Sequence, residues 1–271
     1  MRIARYVVGD HIQYGIVELA ADGGDHPDTV AAITADPLAG PVSYTGQRHL
    51  LADVRLLAPV IPRSKVVGIG RNYAAHAAEM GNEVPDEPLV FLKPNTSVIG
   101  PGEAIVRPST TSDLQYEGEL AVVIGRIGRD IPVERVGEAV FGYTVANDVT
   151  ARDLQRTDGQ WTRAKGYDTF CPLGPWIVTH LSVDEASDLG IRTRLDGAIV
   201  QESSTSLLVR GISDLVSYVS SFTTLLPGDL ILTGTPAGVG PMLPGQRVEI
   251  EIDGIGSLEN VVIDEGAGEI A

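Results

Sequence analysis

The sequence predicts an α+β fold in which β-strands dominate, and three observations support this prediction. Short apolar runs of strand length recur between glycines and prolines, from residues 65–70 to residues 247–256. Convincing helical segments are few, and strand and helix do not alternate regularly. Because a doubly wound parallel sheet requires that alternation, the pattern argues against it.

The first 60 residues predict a small β-rich domain. The runs ARYVV and QYGIVEL are typical of short strands joined by the turn GDH, and a loop rich in Gly, Asp and Pro follows at residues 21–28. Pro59 and Pro62 bracket a boundary. We therefore expect an N-terminal domain over residues 1–60 and a larger catalytic domain over residues 61–271.

The larger region combines many strands with few helices. Its strand-like runs are KVVGIG, PLVFLKP, ELAVVIG, VFGYTVAND, GPWIVT, DLILTGTP and RVEIEIDGIG. Helices are predicted at Tyr73–Met80, in a short segment from Thr150 and across Ile212–Leu225, and ERVGEAV indicates a fourth. The chain contains neither internal repeats nor low-complexity tracts.

Composition restricts the function classes. The chain has 271 residues and a net charge of −16, which argues against nucleic acid and anionic membrane surfaces as partners. The N-terminal 19 residues are too polar for a signal peptide or a membrane span, and the single cysteine, Cys171, excludes an intrachain disulfide. We therefore expect a cytoplasmic protein that acts on a small molecule.

The stretch DLQYEGELAVVIG, residues 113–125, places two carboxylates on one strand. With a side-chain period of two, Glu117 and Glu119 share a face that continues into Ala121 and Val123. If that face is buried, a cation must lie between the carboxylates or one pKa must rise strongly. The alternative is an edge strand whose charged half lies in solvent.

Asp148 offers a third carboxylate after the strand-like run 141–146. It could be the N-cap of the helix that follows, although capping and metal ligation do not exclude each other. Together with Glu117 and Glu119, Asp148 would form an all-oxygen site of the kind that suits Mg²⁺, Mn²⁺ or Ca²⁺. The five histidines lack the spacing of a zinc site.

Polar groups near these carboxylates predict a site for an anionic, oxygen-rich substrate such as a keto acid. Arg152 and Gln155 share one helix face at a spacing of three, and the loop GQWTRAKGYDTF supplies Lys165. The alternative is that Arg152 and Lys165 are solvated surface charges.

A second pair, His76 and Glu79, also lies three residues apart, on a short helix flanked by glycines. A carboxylate beside an imidazole is a workable general-base pair, and the polar segment GNEVPDEP that follows is typical of a mobile lid. The alternative is an exposed helix on which the pairing arises by chance.

Other motifs are weaker. GIGRNY matches a dinucleotide fingerprint only in part, because Tyr73 occupies the third glycine position. The glycine-rich turn LTGTPAGVG could hold a carboxylate near Thr235, but it lacks the lysine of a P-loop. No G-x-S-x-G elbow is present, and Cys171 is expected to be a small core residue.

Six stretches in order resemble the fumarylacetoacetate hydrolase family, over about residues 65–262. They are GRNYAAHAAEMG, PLVFLKPNTSVIGPG, YEGELAVVIG, NDVTARDLQ, GQWTRAKGYDTFCPLGPW and LLPGDLILTGTPAGVG. The resemblance implies a mixed β-sandwich roll, usually dimeric, with a divalent metal at its mouth. The N-terminal residues look like the small domain of many bacterial members.

The resemblance also implies roles for individual residues. Glu117, Glu119 and Asp148 match the metal carboxylates, while His76 and Glu79 match the lid dyad that activates water in hydrolytic members. Arg152, Gln155 and Lys165 match positions that hold the oxo-acid end of the substrate and stabilise enolate charge. Thr235 matches the glycine-rich turn that binds a carboxylate.

Similar sites in this family catalyse different reactions through an enolate of a 2-keto acid. Because His76 and Glu79 are both present, we expect hydrolytic C–C cleavage of an acylpyruvate-like acid that releases pyruvate, with Mg²⁺, Mn²⁺ or Ca²⁺ bound. Oxaloacetate decarboxylation and isomerisation of a hydroxyhepta-diene-dioate are alternatives. A keto-acid-binding protein without catalysis is the alternative from another class.

Overall fold

The structure is a computed structural model, and it describes residues 1–20 and 26–267. The first five residues of the predicted loop at 21–28 lie outside this part of the chain. The strands, in chain order, are β1 (Arg2–Val8), β2 (His11–Glu18), β3 (Thr29–Ile33), β4 (Tyr44–Leu50), β5 (Arg55–Leu57), β6 (Val66–Gly70), β7 (Leu89–Lys93), β8 (Val98–Ile99), β9 (Ala104–Arg107), β10 (Leu114–Tyr116), β11 (Gly118–Ile124), β12 (Val140–Asn147), β13 (Thr150–Ala151), β14 (Cys171–Val178), β15 (Gly190–Leu195), β16 (Ala198–Ser204), β17 (Leu230–Leu232), β18 (Gly240–Pro241), β19 (Arg247–Ile252) and β20 (Gly256–Asp264).

Helices are short and lie between strands. The α-helices are α1 (Ala74–Glu79), α2 (Val136–Ala139), α3 (Arg152–Thr157), α4 (Thr162–Gly166), α5 (Val183–Ala186) and α6 (Ile212–Phe222). Single 3₁₀ turns lie at Leu51–Asp53, Asn95–Ser97, Val133–Arg135 and Thr205–Leu207. The predicted α+β, strand-dominated fold is confirmed.

The largest sheet has twelve strands and is mixed. Its order is β4-β3-β2-β1-β14-β12-β11-β17-β6-β7, with β5 paired to β1 and β8 paired to β14. Most neighbours are antiparallel, but β17 runs parallel to β6 and β8 runs parallel to β14. Strand β11 therefore lies inside the sheet between β12 and β17, and the edge-strand alternative for this stretch is wrong.

The N-terminal strands continue this sheet. Arg2 and Ile3 of β1 pair with Val178 and Ile177 of β14, so strands from both sides of residue 60 are hydrogen-bonded to each other. The division into domains at 1–60 and 61–271 stays a prediction.

A second sheet packs on the first and encloses the main core. Its order is β16-β15-β19-β20-β9, and a three-stranded sheet, β13-β10-β18, lies at the end that carries the site. Leu120 and Val122 of β11 belong to the same buried cluster as Ile250 of β19 and Leu258 of β20. The two layers bury apolar faces against each other, as a β-sandwich requires.

Two sequence predictions change around the site. The segment from Thr150 begins as strand β13, and α3 begins at Arg152 with Ala151 at its N-cap, so Asp148 does not cap it. The stretch at 113–125 is divided into β10 and β11, and Glu117 lies at the break, where its backbone N–H donates to Asn147 Oδ1 at 2.9 Å. This break turns the chain toward Asn147 and Asp148.

Candidate metal centre and active site

Three carboxylates meet where β11 and β12 lie side by side. Gly118 pairs with Asn147 and Glu119 with Ala146, so the register brings the start of β11 next to the end of β12. Glu117, Glu119 and Asp148 each offer an oxygen, and these oxygens lie within 4.8 Å of one another. All three residues are buried.

Buried cations surround the carboxylates. Lys165 Nζ donates to Glu117 Oε2 and to Asp148 Oδ2, each at 2.6 Å. Lys93 Nζ donates to the other oxygen of Asp148 at 2.6 Å, and the Arg152 guanidinium pairs with Glu117. Such charges are stable in a protein interior only when they are paired and hydrogen-bonded in this way.

The carboxylates differ in their electrostatic surroundings. Burial raises the pKa of Glu117, but Lys165 and Arg152 outweigh it and hold that pKa below its ordinary value. Burial raises the pKa of Glu119, and the neighbouring Asp148 and Glu117 raise it further. Burial lowers the pKa of Lys165, and Asp148 and Glu117 outweigh it, so the ammonium form is favoured.

This arrangement fits a divalent cation. Glu119 accepts one hydrogen bond, from the Gly234 N–H at 2.7 Å. Burial raises its pKa, and the neighbouring carboxylates of Asp148 and Glu117, whose charge a dication would neutralise, raise it further. Carboxylate oxygens are the donors that Mg²⁺, Mn²⁺ and Ca²⁺ prefer. Gly234 has a φ of +107°, a conformation that a glycine adopts without strain.

Arg152 and Gln155 lie on α3 beside the carboxylates. Arg152 Nε donates to Gln115 Oε1 at 2.8 Å, and its Nη1 donates to Gln155 Oε1 at 2.6 Å. Arg152 and Lys165 are each only 2% exposed. The alternative that they are solvated surface charges is wrong, because both are held inside the protein by buried acids.

His76 and Glu79 lie on α1. His76 Nδ1 is 3.4 Å from Glu79 Oε2, and the Gly238 N–H donates to both Glu79 oxygens at 3.1 Å. Because His76 is buried, its pKa is lowered, which favours the neutral imidazole that a general base requires. The alternative of an exposed helix is therefore wrong for His76.

Thr235 follows the turn at Gly234, and Gln201 of β16 holds it in place. Gln201 Nε2 donates to Thr235 Oγ1 at 2.9 Å and to the Pro236 carbonyl at 2.8 Å, while its Oε1 accepts from the Gly118 N–H at 3.1 Å. A Cβ at Gly118 would lie 2.4 Å from Thr193 Oγ1, so this close approach requires glycine.

One cavity of about 360 Å³ brings these groups together. Eight of the nine predicted site residues line it, and Glu79 is the exception. Apolar side chains form part of the wall, among them Ile69, Phe91 and Trp161, and the last two rings pack edge to face at 5.5 Å. A pocket with convergent polar groups and apolar walls is typical of a small-molecule site. The roles of the individual residues stay predictions.

Sequence reasoning missed two residues of this site. Lys93 is the last residue of β7, and nothing local marks it as buried, because a lysine at a strand end is usually exposed. Gln201 gave no signal either, because β16 reads as a polar edge strand in the sequence. Cys171 is buried as predicted, and burial raises the pKa of its thiol to about 12.

Comparison with known families identifies the chain. Residues 65–263 match the family described as fumarylacetoacetate (FAA) hydrolase C-terminal, and residues 1–59 match the family described as Rv2993c-like, N-terminal. The chain belongs to the fumarylacetoacetate hydrolase family. The resemblance proposed from the six stretches is confirmed.

Relatives in this family catalyse several reactions. A crystal structure of 5-carboxymethyl-2-hydroxymuconate delta-isomerase from Mycobacterium smegmatis has a TM-score of 0.88 and 49% identity, and the match covers 98% of this chain and 100% of that one. Oxaloacetate tautomerase Fahd2a of Rattus norvegicus is 42% identical over 78% of this chain and 70% of its own length.

A further structure holds a metal. Fumarylpyruvate hydrolase from Pseudomonas aeruginosa, in complex with Mn²⁺ and pyruvate, has a TM-score of 0.71 and 38% identity, covering 76% of this chain and 91% of that one. Members of the family are enzymes, and the buried carboxylates of this chain could bind a divalent metal. Within the described residues, no helix is long and apolar enough to cross a membrane.

Proposed function

We propose that this protein is a divalent-metal-dependent enzyme that hydrolyses a carbon–carbon bond of an acylpyruvate-like 2,4-diketo acid and releases pyruvate. The observation that carries the proposal is the presence of His76 in the same cavity as the three carboxylates and Lys165. Glu117, Glu119 and Asp148 would hold the metal, Mg²⁺ or Mn²⁺. When bound there, the metal supplies an electrophile that polarises the 2-keto oxygen.

The polar wall would position the oxo-acid end of the substrate. Gln155 and Arg152 lie on one side of the cavity, and the Thr235 hydroxyl lies in the turn that follows Gly234. Because Arg152 and Thr235 are already held by hydrogen bonds, little side-chain freedom is lost when the substrate binds.

His76 is the general base of the proposed reaction. With Nδ1 facing Glu79, its Nε2 takes a proton from water, and the water oxygen adds to the distal carbonyl. The bond between that carbon and C3 then breaks, its electron pair stays on C3 as the pyruvate enolate, and the proton from His76 completes pyruvate at C3. The Lys165 ammonium stabilises the negative charge that develops nearby.

Isomerisation or tautomerisation is a second candidate, because the Mycobacterium smegmatis isomerase and the rat tautomerase are more similar to this chain than the Pseudomonas hydrolase is. In that reaction His76 would move a proton along the enol system of the substrate, and no water would be activated. Oxaloacetate decarboxylation needs no activated water either.

One set of assays separates these reactions. Acetylpyruvate, fumarylpyruvate, oxaloacetate and a hydroxyhepta-diene-dioate are incubated with Mg²⁺ or Mn²⁺ and then with EDTA, while pyruvate, CO₂ and the enol absorbance are followed. We expect pyruvate to be released from a diketo acid in the presence of the metal, and we expect EDTA to stop this release. Loss of the enol absorbance without pyruvate release would replace hydrolysis by isomerisation.

We propose a homodimer that acts in the cytoplasm on a small keto acid. Light scattering coupled to gel filtration measures the mass in solution, and a mass of one chain would contradict the dimer.

A further inference from the structure

The charges that line the cavity are not balanced. Four cationic side chains, Arg71, Arg152, Arg156 and Lys165, line it together with three carboxylates. A dication held by those carboxylates would make the cavity more positive still. A substrate with more than one negative charge would therefore complement it better than a monoanion would.

Most of these cations already have acidic partners. Arg152 and Lys165 pair with Glu117, and Arg156 Nη1 lies 3.3 Å from Asp113. By contrast, Arg71 forms no ion pair or side-chain hydrogen bond with the part of the chain that the structure describes. Arg71 is thus the lining cation whose charge the described residues leave uncompensated.

The backbone around Arg71 is held in an uncommon conformation. Arg71 has a φ of +58°, in the left-handed region that non-glycine residues rarely occupy. Gly70 before it pairs with Leu89 in the sheet. The Asn72 side chain after it donates to the carbonyls of Thr233 and Arg210. The sheet pairing of Gly70 and the hydrogen bonds of Asn72 therefore hold Arg71 in a backbone conformation that is unfavourable for an arginine.

Apolar groups share this part of the cavity wall. Gly70 approaches Trp161 so closely that a Cβ would lie 2.7 Å from the indole ring, and Ile69, Met80 and Phe91 also line the cavity. An apolar wall accommodates the carbon chain of a substrate, while a guanidinium beside it can bind a terminal carboxylate in a two-pronged hydrogen bond.

We propose that Arg71 binds a second carboxylate of the substrate and that the enzyme therefore selects 2-keto dicarboxylic acids over 2-keto monocarboxylic acids. This inference rests on the proposed function for the location of the keto-acid end. It adds a specificity-determining residue to that site.

The test compares two substrates that differ in charge at the distal end. Fumarylpyruvate carries a terminal carboxylate and acetylpyruvate does not. We expect wild-type kcat/KM to favour fumarylpyruvate by about 10- to 100-fold, the range of one charge-assisted hydrogen bond. Arg71→Asn, which tolerates a positive φ, should abolish that preference mainly through KM, and Arg71→Lys should restore part of it.

A matched variant controls for the general effect of removing an arginine from the protein. Arg163 is exposed, pairs with Asp158 and does not line the cavity, so Arg163→Asn should leave the preference unchanged. A preference that persists in Arg71→Asn, or that is absent from the wild type, would overturn the inference. Equal losses on both substrates would also overturn it, since they would indicate a structural role.

A binding measurement keeps this test separate from the proposed reaction. Calorimetry on the Mn²⁺-loaded protein compares pyruvate, a monoacid, with 2-oxoglutarate, a diacid. Tighter binding of the diacid in wild type but not in Arg71→Asn supports the subsite even if no diketo acid is hydrolysed. Equal affinities for both acids would overturn the subsite even if hydrolysis is observed.

Discussion

The floor and the mouth of the cavity are built differently. The floor consists of Glu117, Glu119, Asp148, Arg152 and Lys165, and Lys93 lies behind it as a partner of Asp148. All six are at most 4% exposed, and short ion pairs or backbone hydrogen bonds hold their charged groups. Breaking such an arrangement leaves an unpaired buried charge, so the floor is expected to be rigid.

The mouth consists of Arg71 and helix α1, which carries His76 and Glu79. Helix α1 has six residues and no side-chain cap, and the His76–Glu79 contact is long, at 3.4 Å. The Glu79 side chain is 36% exposed. A short helix with few buried contacts can open locally at low cost in free energy.

The difference assigns separate tasks to the two regions. The floor supplies a preorganised charge arrangement that any enolate chemistry of a 2-keto acid can use. In the proposed reaction, the mouth would supply the base and the contacts with the distal end of the substrate, and it would therefore determine which reaction follows. Mutations in the floor should therefore affect metal binding and stability as well as turnover, whereas mutations in the mouth should affect turnover and substrate choice with little effect on metal binding.

The largest effect on turnover is expected at the mouth. His76→Ala removes the proposed base and should lower hydrolysis by about 10²- to 10⁴-fold. Since His76 is not one of the three carboxylates, Mn²⁺ affinity measured by calorimetry should stay within about twofold. Equal loss of affinity and turnover would remove the distinction between mouth and floor.

Lys165→Met tests the floor. It leaves Glu117 and Asp148 without their shared partner, so the free energy of unfolding should fall by about 3–5 kcal/mol and turnover by about 10²- to 10³-fold. Denaturant unfolding with and without Mn²⁺ measures the change, and added Mn²⁺ should restore part of the stability by supplying positive charge.

Lys65→Met is the matched control for Lys165→Met. Lys65 pairs with buried Asp229 at 2.5 Å and does not line the cavity. Its loss should also destabilise the protein, but Mn²⁺ should not restore that stability. Equal recovery of both variants would argue against a metal beside Lys165.

A smaller effect is expected from Glu79→Gln, mainly on the pH profile. Burial lowers the pKa of His76 below its ordinary 6.5, and the hydrogen bond that the Glu79 carboxylate accepts from His76 opposes that shift. Because the base must be neutral, the rate falls as pH drops through this pKa. Removing the Glu79 charge should move that acidic limb to lower pH and reduce kcat by about tenfold. A shift of the acidic limb of the pH–rate profile to higher pH would contradict the proposal that Glu79 supports His76 as the base.

The smallest effect is expected from Gln201→Met. This change removes the donor to Thr235 Oγ1 at little change in volume, and it should raise KM by about 2- to 10-fold with little effect on kcat. In a Thr235→Val background the same change should have no further effect on KM. Full additivity would show that Gln201 does not act through Thr235.

Part of this site is predictable from sequence for clear physical reasons. The period of two places Glu117 and Glu119 on one face, and strand length places Asp148 at a strand end. Local patterns do not report burial of charges, however, because Arg152 and Lys165 belong to residue types that are usually exposed. Only the pairing of β11 with β12, a long-range contact, shows that these cations face acids.

The same limit explains the other misses. Lys93 reaches Asp148 across 55 residues, and Gln201 reaches Gly118 across 83. Neither separation leaves a local pattern. Residues Thr150–Ala151 form a strand instead of the predicted helical turn because they pair with β10. That partner lies 35 residues earlier in the chain, so the local sequence does not reveal it.

The division between floor and mouth depends on one divalent cation that we propose is held by Glu117, Glu119 and Asp148. Calorimetric titration with Mn²⁺ tests this binding most directly on wild type, on Glu119→Gln and on the exposed control Glu138→Gln. We expect one Mn²⁺ per chain for wild type and Glu138→Gln, and at least a tenfold weaker affinity for Glu119→Gln. Equal Mn²⁺ binding by all three proteins would contradict it.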